Sequence, residues 1–333
     1  MSSFNIGLDI GGANLKVASV SEGEIIYFPM WKKWKELDKQ LFEIREKYKP
    51  ENVGVVITAE LADAFDDKVE GVKYISSVVK KVFSNCNVFY LDINGEIKDK
   101  IDNPRLFAAS NWVASTKFLL KNYKNFLFAD MGSTTTDLIP VTDKIEAGKT
   151  DYERLKRGEL LYFGVLRTPV FYVLPEFNSV PLTSEYFSIT GDVFVLTDDI
   201  SAEDYNCETP DGKDKHKDDC MKRLARTLCC DVSEIGEDKI FELAELVKEE
   251  IIKKTSDTIL RLASKYKLSR VIGCGIGEFI LEKATKRANL DYISLKENFG
   301  DFSHLFPAYA MAKLIESKYI TMNYKKLSNN HPC

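Results

Sequence analysis

Two short stretches of this chain repeat one another, and that repeat constrains the fold more than any property of the whole. Residues 7–17 read Gly-Leu-Asp-Ile-Gly-Gly-Ala-Asn-Leu-Lys-Val, and residues 129–140 read Ala-Asp-Met-Gly-Ser-Thr-Thr-Thr-Asp-Leu-Ile-Pro. Aligned, Asp9 matches Asp130, Gly11 matches Gly132, Gly12 matches Ser133, and Lys16 falls opposite Asp137. Each stretch predicts strand, tight turn, strand, with the aspartate where the first strand ends. Gly132 is expected to supply the positive φ of a hairpin turn. Ser133, Thr134, Thr135 and Thr136 place hydroxyls and backbone N–H groups around one concavity, which is how a turn binds an anion. A carboxylate beside such a turn suits Mg²⁺ that bridges phosphates through water. One copy alone would be an ordinary polar hairpin. Two copies predict a duplicated domain with a cleft between the halves.

The whole chain agrees with that plan. Its 333 residues exceed one ordinary core and suit two domains. With 44% hydrophobic and 29% charged residues, it reads as a folded globular chain. A net charge of −5 argues against nucleic acid as a partner. There is no run of 18 apolar residues to span a membrane. The opening residues lack the basic start and apolar stretch of a secretory signal, so the cytoplasm is the expected location. The seven cysteines, at 86, 207, 220, 229, 230, 274 and 333, contain no Cys-x-x-Cys and are expected to be reduced thiols. The three histidines, His216, His304 and His331, offer neither a Cys/His zinc site nor a Ser–His–Asp triad.

In chain order, strands are predicted at Phe4–Ile10, Leu15–Val20 and Glu24–Phe28, then a helix over 31–48 with apolar residues at helical spacing. The continuously apolar Val53–Thr58 predicts a buried parallel strand. A loop or short helix carrying Glu60, Asp63, Asp66 and Asp67 follows, then a helix over 72–84 and a strand over Val88–Asp92. Pro104 is expected to open a helix running to Tyr123 through Ala108, Ala109, Trp112 and Ala114. After the second hairpin, Arg154, Arg157 and Arg167 are expected to cluster, with Gly158 and Gly164 loosening the backbone. They suit bidentate phosphate or carboxylate recognition, or else form solvated surface. The charged run Asp211–Asp219 predicts a solvated loop or a lid. Helices are expected over Met221–Cys230 and 238–267. Ser269–Glu278 then reads as strand, glycine turn and helix start, with glycines 273, 275 and 277 permitting close backbone approach. It lacks the dinucleotide fingerprint, and there is no Walker-type sequence. A helix over 306–317 is expected to pack on the helix from Pro104, leaving 319–333 as a peripheral tail.

Two Asp-x-Gly hairpins, a linking small-residue helix, a late glycine turn and an Ala-rich terminal helix resemble, in that order, the sugar kinase, heat-shock ATPase and actin superfamily. Thr134-Thr-Thr-Asp137 is similar to its hydantoinase A/oxoprolinase branch. Within that branch, Arg154–Pro169, Asp211-Gly-Lys and Arg223–Asp231 resemble a small family tied to one-carbon cofactor metabolism, the methanofuran-biosynthesis synthases. The resemblance spans residues 4–315, and Ser133 departs from the glycine usual there. It implies an α/β fold of two similar actin/ribonuclease H-like lobes with a cleft between them. The first lobe would cover 1–122, completed by a terminal helix over about 305–333, and the second would cover 123–304. It also implies a reaction: an aminomethyl-furanmethanol diphosphate condenses with γ-glutamyltyramine, releasing diphosphate and forming an aryl ether. On that resemblance Asp9 and Asp130 orient Mg²⁺, and Lys16 neutralises diphosphate. Gly11, Gly12, Gly132, Ser133, Thr134 and Thr135 donate hydrogen bonds. Arg154 and Arg167 hold diphosphate or the glutamyl carboxylate, Gly273 and Gly275 form the former adenosine turn, and Asp137 is the candidate base. ATP is permitted but not required, the partners are small molecules, and a homo-oligomer is allowed.

Two rivals stand beside this reading. One is an ATP-dependent small-molecule kinase or hydantoinase-like hydrolase, which would consume ATP in step with product. The other is a nucleotide-dependent binding module without catalysis, which would need a further partner domain or an exposed apolar groove.

Overall fold

The computed structural model describes residues 4–329, with side chains as far as Ser317. His331 and Cys333 lie outside the described residues. The chain divides into two compact units, one holding residues up to Lys124, Gly148–Glu153 and everything from Asp301 onward, the other holding Asn125–Ala147 and Arg154–Gly300.

The first unit is built on a six-stranded sheet. β1 (Asn5–Gly11), β2 (Asn14–Ala18) and β3 (Gly23–Tyr27) form an antiparallel meander. After α1 (Met30–Lys33) and α2 (Leu37–Tyr48), β4 (Asn52–Thr58) joins the other edge of β1 in parallel. α3 (Lys68–Val82) leads to β5 (Asn87–Leu91), which is parallel to β4 and pairs with the short β6 (Ile97–Lys98). The central strands β1 and β4 are buried along nearly their whole length, as their unbroken apolar character requires. The terminal helix, Phe306–Asn329, lies on β1 so closely that a Cβ on Gly7 would stand 1.9 Å from the Ala308 carbonyl oxygen. Gly7 and the alanines of that helix are therefore one packing solution. α4 (Asn111–Leu119) meets the same helix through Phe118, whose ring packs edge-on against Phe306 and Tyr309 at 5.8 and 5.9 Å.

Three sequence expectations change here. The helix over 31–48 is interrupted by a 3₁₀ turn at Trp34–Glu36. The helix expected from Pro104 to Tyr123 is a 3₁₀ turn at Pro104–Phe107 followed by α4. Between them Ala108 bridges Ile57 in parallel, and Ala109 takes φ 51°, so sheet pairing overrides helix propensity at those alanines. The expected helix over 306–317 runs on as far as Asn329.

The second unit repeats the plan. β7 (Phe126–Met131) and β8 (Thr136–Val141) form the hairpin, α5 (Asp151–Arg157) follows, and β9 (Leu160–Leu161) extends β8. α6 (Val170–Val173), the small β10–β11 ribbon (Glu176–Phe177 and Val180–Pro181), α7 (Thr190–Leu196), α8 (Lys217–Arg226), α9 (Val232–Ile235) and the thirty-residue α10 (Glu237–Tyr266) come next. β12 (Arg270–Cys274) then joins β7 in parallel, and α11 (Glu278–Arg287), β13 (Asp291–Ser294) and α12 (Leu295–Phe299) complete the unit. In both sheets a hairpin strand has its antiparallel partner on one side and two parallel strands on the other. Among the described residues no helix is long and apolar enough to cross a membrane.

Candidate functional site

Asp9 stands two residues before the end of β1, opposite Lys16 on β2. Its carboxylate is buried and accepts a hydrogen bond from the Thr58 hydroxyl at 3.1 Å, and the Lys16 ammonium lies 3.9 Å from its other oxygen. Thr58 reaches it because β4 runs parallel to β1 and ends beside Gly11. The turn between the strands is tethered: Met30 N–H donates to the Gly12 carbonyl and Phe28 N–H to that of Ala13. A Cβ on Gly11 would meet the Asn14 carbonyl at 2.7 Å, whereas one on Gly12 would meet nothing within 4 Å. Gly12 is thus backbone that another molecule can approach.

In the second hairpin Asp130 stands opposite Asp137, in the same register as Asp9 and Lys16. The aligned pairs of the two sequence stretches are therefore equivalent positions in space. Gly132 does not take the positive φ expected of it; the turn closes through its N–H to the Thr135 carbonyl at 2.9 Å. Arg154 lies on Asp137 as a buried ion pair, so each of these two side chains has its charge partner within the protein. Arg167 donates to the Thr134 hydroxyl at 3.2 Å, and Arg157 reaches the Glu146 carbonyl, so the three arginines do not form one cluster.

The tip of this hairpin is clamped. Val165 N–H donates to the Gly132 carbonyl, and Leu166 and Arg167 N–H groups both donate to that of Ser133. Thr136 donates its hydroxyl to the Phe163 carbonyl, and Thr168 accepts from Gly164 N–H. A Cβ on Gly164 would stand 2.5 Å from the Gly132 carbonyl oxygen and 2.7 Å from Thr134 N. Gly164 is therefore a point of close packing and not the loosened joint expected. The clamp is itself held by α7: Thr190 donates its hydroxyl to the Gly164 carbonyl, and Gly191 N–H donates to that of Leu166. Behind α7, Asp192 and Arg223 form a fully buried ion pair joined by the Tyr205 hydroxyl. Arg223 and Arg226 also bind Asp211, so the charged run 211–219 is anchored at its first residue, and its last three residues belong to α8.

The late glycine turn packs against the end of β7. Gly275 has φ 96°, and a Cβ there would lie 2.6 Å from an Asp130 carboxylate oxygen and 2.4 Å from the Met131 carbonyl. Gly277 N–H donates to that same carbonyl at 2.9 Å. The space beside Gly273 is taken by the Tyr292 ring. Glycine is required at 273 and 275 by the protein's own neighbours.

Thr58 and Thr190 escaped the sequence because each acts on a residue distant along the chain. A polar residue at the end of a buried parallel strand, as in Ile57-Thr58, was the available signal. The six described cysteines are all free thiols, and burial pushes the Cys207 and Cys220 thiols up, to about 11 and about 12.

Residues 51–318 match the profile of the family described as Hydantoinase/oxoprolinase. A Methanocaldococcus jannaschii protein, (4-{4-[2-(gamma-L-glutamylamino)ethyl]phenoxymethyl}furan-2-yl)methanamine synthase, is 39% identical over 96% of this chain and 99% of its own length. The Methanococcus vannielii synthase of the same name is 37% identical over 59% of this chain and 92% of its own. A ROK family glucokinase from Streptomyces griseus, solved with glucose and AMPPNP, superposes with a TM-score of 0.50 at 12% identity, covering 93% of this chain and 98% of that one. That last similarity speaks to the fold alone.

Proposed function

This chain belongs to the hydantoinase/oxoprolinase family, and from that premise we propose that it is an enzyme of methanofuran biosynthesis, joining a furylmethyl carbon to the phenol oxygen of γ-glutamyltyramine. The observation that carries the reading is the near full-length identity to a synthase whose product contains that ether. The kinase and hydrolase alternatives are not favoured by relatives of that name.

The product defines the chemistry. A furylmethyl carbon shares positive charge with its ring, so the barrier lies mainly in releasing the group it carries. Diphosphate is the leaving group in this reading. Stabilising its developing charge is the task of preorganised donors and cations. Gly12 offers open backbone at the first hairpin turn, with Lys16 as the cation beside it, and Arg167 is the cation on the clamped second turn. Asp9 and Asp130 are the residues that would hold Mg²⁺, because each presents one buried carboxylate near a strand end and Mg²⁺ takes one or two carboxylates with phosphate and water. When bound, the metal supplies positive charge to the departing diphosphate. ATP is permitted but not required in this reading.

The test is an assay of purified protein with the furan diphosphate, γ-glutamyltyramine and Mg²⁺, without ATP. Inorganic diphosphate and ether should appear in equal amounts. An absolute requirement for ATP would overturn the reading.

A further inference from the structure

The register of the two sheets exposes a second repeated carboxylate. Asp9 pairs with Val56 across the parallel β1–β4 ladder, and Asp130 pairs with Cys274 across β7–β12. Four residues beyond Val56 stands Glu60, and four beyond Cys274 stands Glu278. Both are buried, at 2% and 8% exposure, and in both one carboxylate oxygen, Oε2, has no hydrogen-bond partner within the protein. Their other oxygens differ. Glu278 accepts from the Ser294 hydroxyl and from Lys296 N–H at the start of α12. Glu60 has no such side-chain donor; its own N–H and that of Ala109 only lower its carboxyl against the effect of burial.

Glu60 is also placed where ligands bind in sheets of this kind, just beyond the carboxyl end of a parallel strand. Thr58, two residues earlier, holds Asp9. Ala109, whose N–H acts on the Glu60 carboxyl, follows the bridge between Ala108 and Ile57. Two further buried polar atoms lack partners, Asn14 Oδ1 at the start of β2 and Ser110 Oγ next to Ala109. Buried polar atoms are ordinarily satisfied, so an unsatisfied carboxylate oxygen at a strand end points to a polar molecule. The Glu60 backbone is closely packed: a Cβ on Gly71 would stand 2.4 Å from the Glu60 carbonyl oxygen.

We infer that Glu60 takes the phenol proton during ether formation, a role that rests on the function proposed above. The phenol O–H bond breaks as its proton passes to the free Glu60 oxygen. The oxygen's electron pair forms the bond to the furylmethyl carbon, and the electron pair of the breaking carbon–oxygen bond leaves with diphosphate. Burial pushes the Glu60 carboxyl up to about 7, with Asp151 raising it and Lys68 lowering it, so it exchanges protons near neutrality.

The test compares wild type with Glu60→Gln, using γ-glutamyltyramine and a ring-difluorinated γ-glutamyltyramine whose phenol is more acidic. With the natural acceptor, kcat should fall about 10²-fold or more. With the acidic phenol the loss should shrink at least tenfold, and the KM for the furan diphosphate should stay within about threefold. Wild-type kcat should rise with pH through about 7, and E60Q should lose that limb. Glu278→Gln should keep it. An E60Q enzyme within threefold of wild type, or one equally impaired with both phenols, overturns the role while leaving the function standing. Wild-type protein that forms no ether overturns the function, and the role with it. Should E60Q fail to fold, the wild-type profile decides alone: the same acidic limb must be present with γ-glutamyltyramine and be weakened with the difluorinated acceptor, and any other pattern overturns the role.

Discussion

The two hairpins share a register and differ in how their second strands answer the aspartate. On β1–β2 the residue opposite Asp9 is Lys16, a part-exposed cation 3.9 Å from the carboxylate. On β7–β8 the residue opposite Asp130 is another acid, Asp137, which is matched from α5 by buried Arg154. The first turn is tied down only through its carbonyls, leaving Gly12 open, whereas the second lies under the 163–168 clamp. Duplication has kept the carboxylate at the strand end and let the charge beside it be supplied in two ways. A position held constant between otherwise divergent copies marks the part both copies need, and here that part is the aspartate.

The largest expected effect tests that equivalence. Asp9→Asn and Asp130→Asn each remove one negative charge from a buried position and change little in shape. Both should lower kcat by about 10²- to 10³-fold, the scale of losing one preorganised charge-stabilising group. Steady-state assays at saturating Mg²⁺ check it. If either variant turned over like wild type, the two strand ends would not be doing the same job.

The next effect breaks the comparison on its second strand. Arg154→Met leaves Asp137 buried without its cation and should destabilise the protein by about 3–5 kcal/mol in urea unfolding. The double variant Arg154→Met/Asp137→Leu should recover most of the loss, because replacing both partners removes the stranded charge. A single variant as stable as wild type would show that the pair is there for a ligand and not for the fold.

Much of this was legible in the residues, and the part that was not has a common cause. The equivalence of Asp9 with Asp130 could be read directly, since period-two strands force matching residues into matching registers. Asp137 and Arg154 were each visible as candidates, but their pairing was not, because it depends on where α5 returns to β8. Gly164 read as flexibility for the same reason: glycine alone does not reveal whether it bends a chain or admits a neighbour, and here it admits the Ser133 backbone. The break at Ala108 and Ala109 was hidden because alanine favours helix, and only the bridge to Ile57 overrules it. Glu60 sat unremarked among Asp63, Asp66 and Asp67, although of these four carboxylates it is the buried one. Burial of a single acid within an acidic loop leaves no mark on local pattern.

The smallest effects come from a matched pair of glycine substitutions. Gly164→Ala drives a methyl into the Gly132 carbonyl and the Thr134 nitrogen, backbone atoms that are themselves hydrogen-bonded into the clamp, and should cost about 2 kcal/mol of stability. Gly12→Ala adds the same methyl where nothing stands within 4 Å, at a backbone angle open to alanine, and should change stability by less than about 0.5 kcal/mol. The two therefore separate packing from approach. If Gly12 is glycine to let a diphosphate reach the backbone, Gly12→Ala should bind inorganic diphosphate about tenfold more weakly by calorimetry, the loss of one charge-assisted hydrogen bond, while melting like wild type. Unchanged affinity would mean that the first hairpin's open turn is not where the anion sits, and that the contrast between an open and a clamped turn has no bearing on binding.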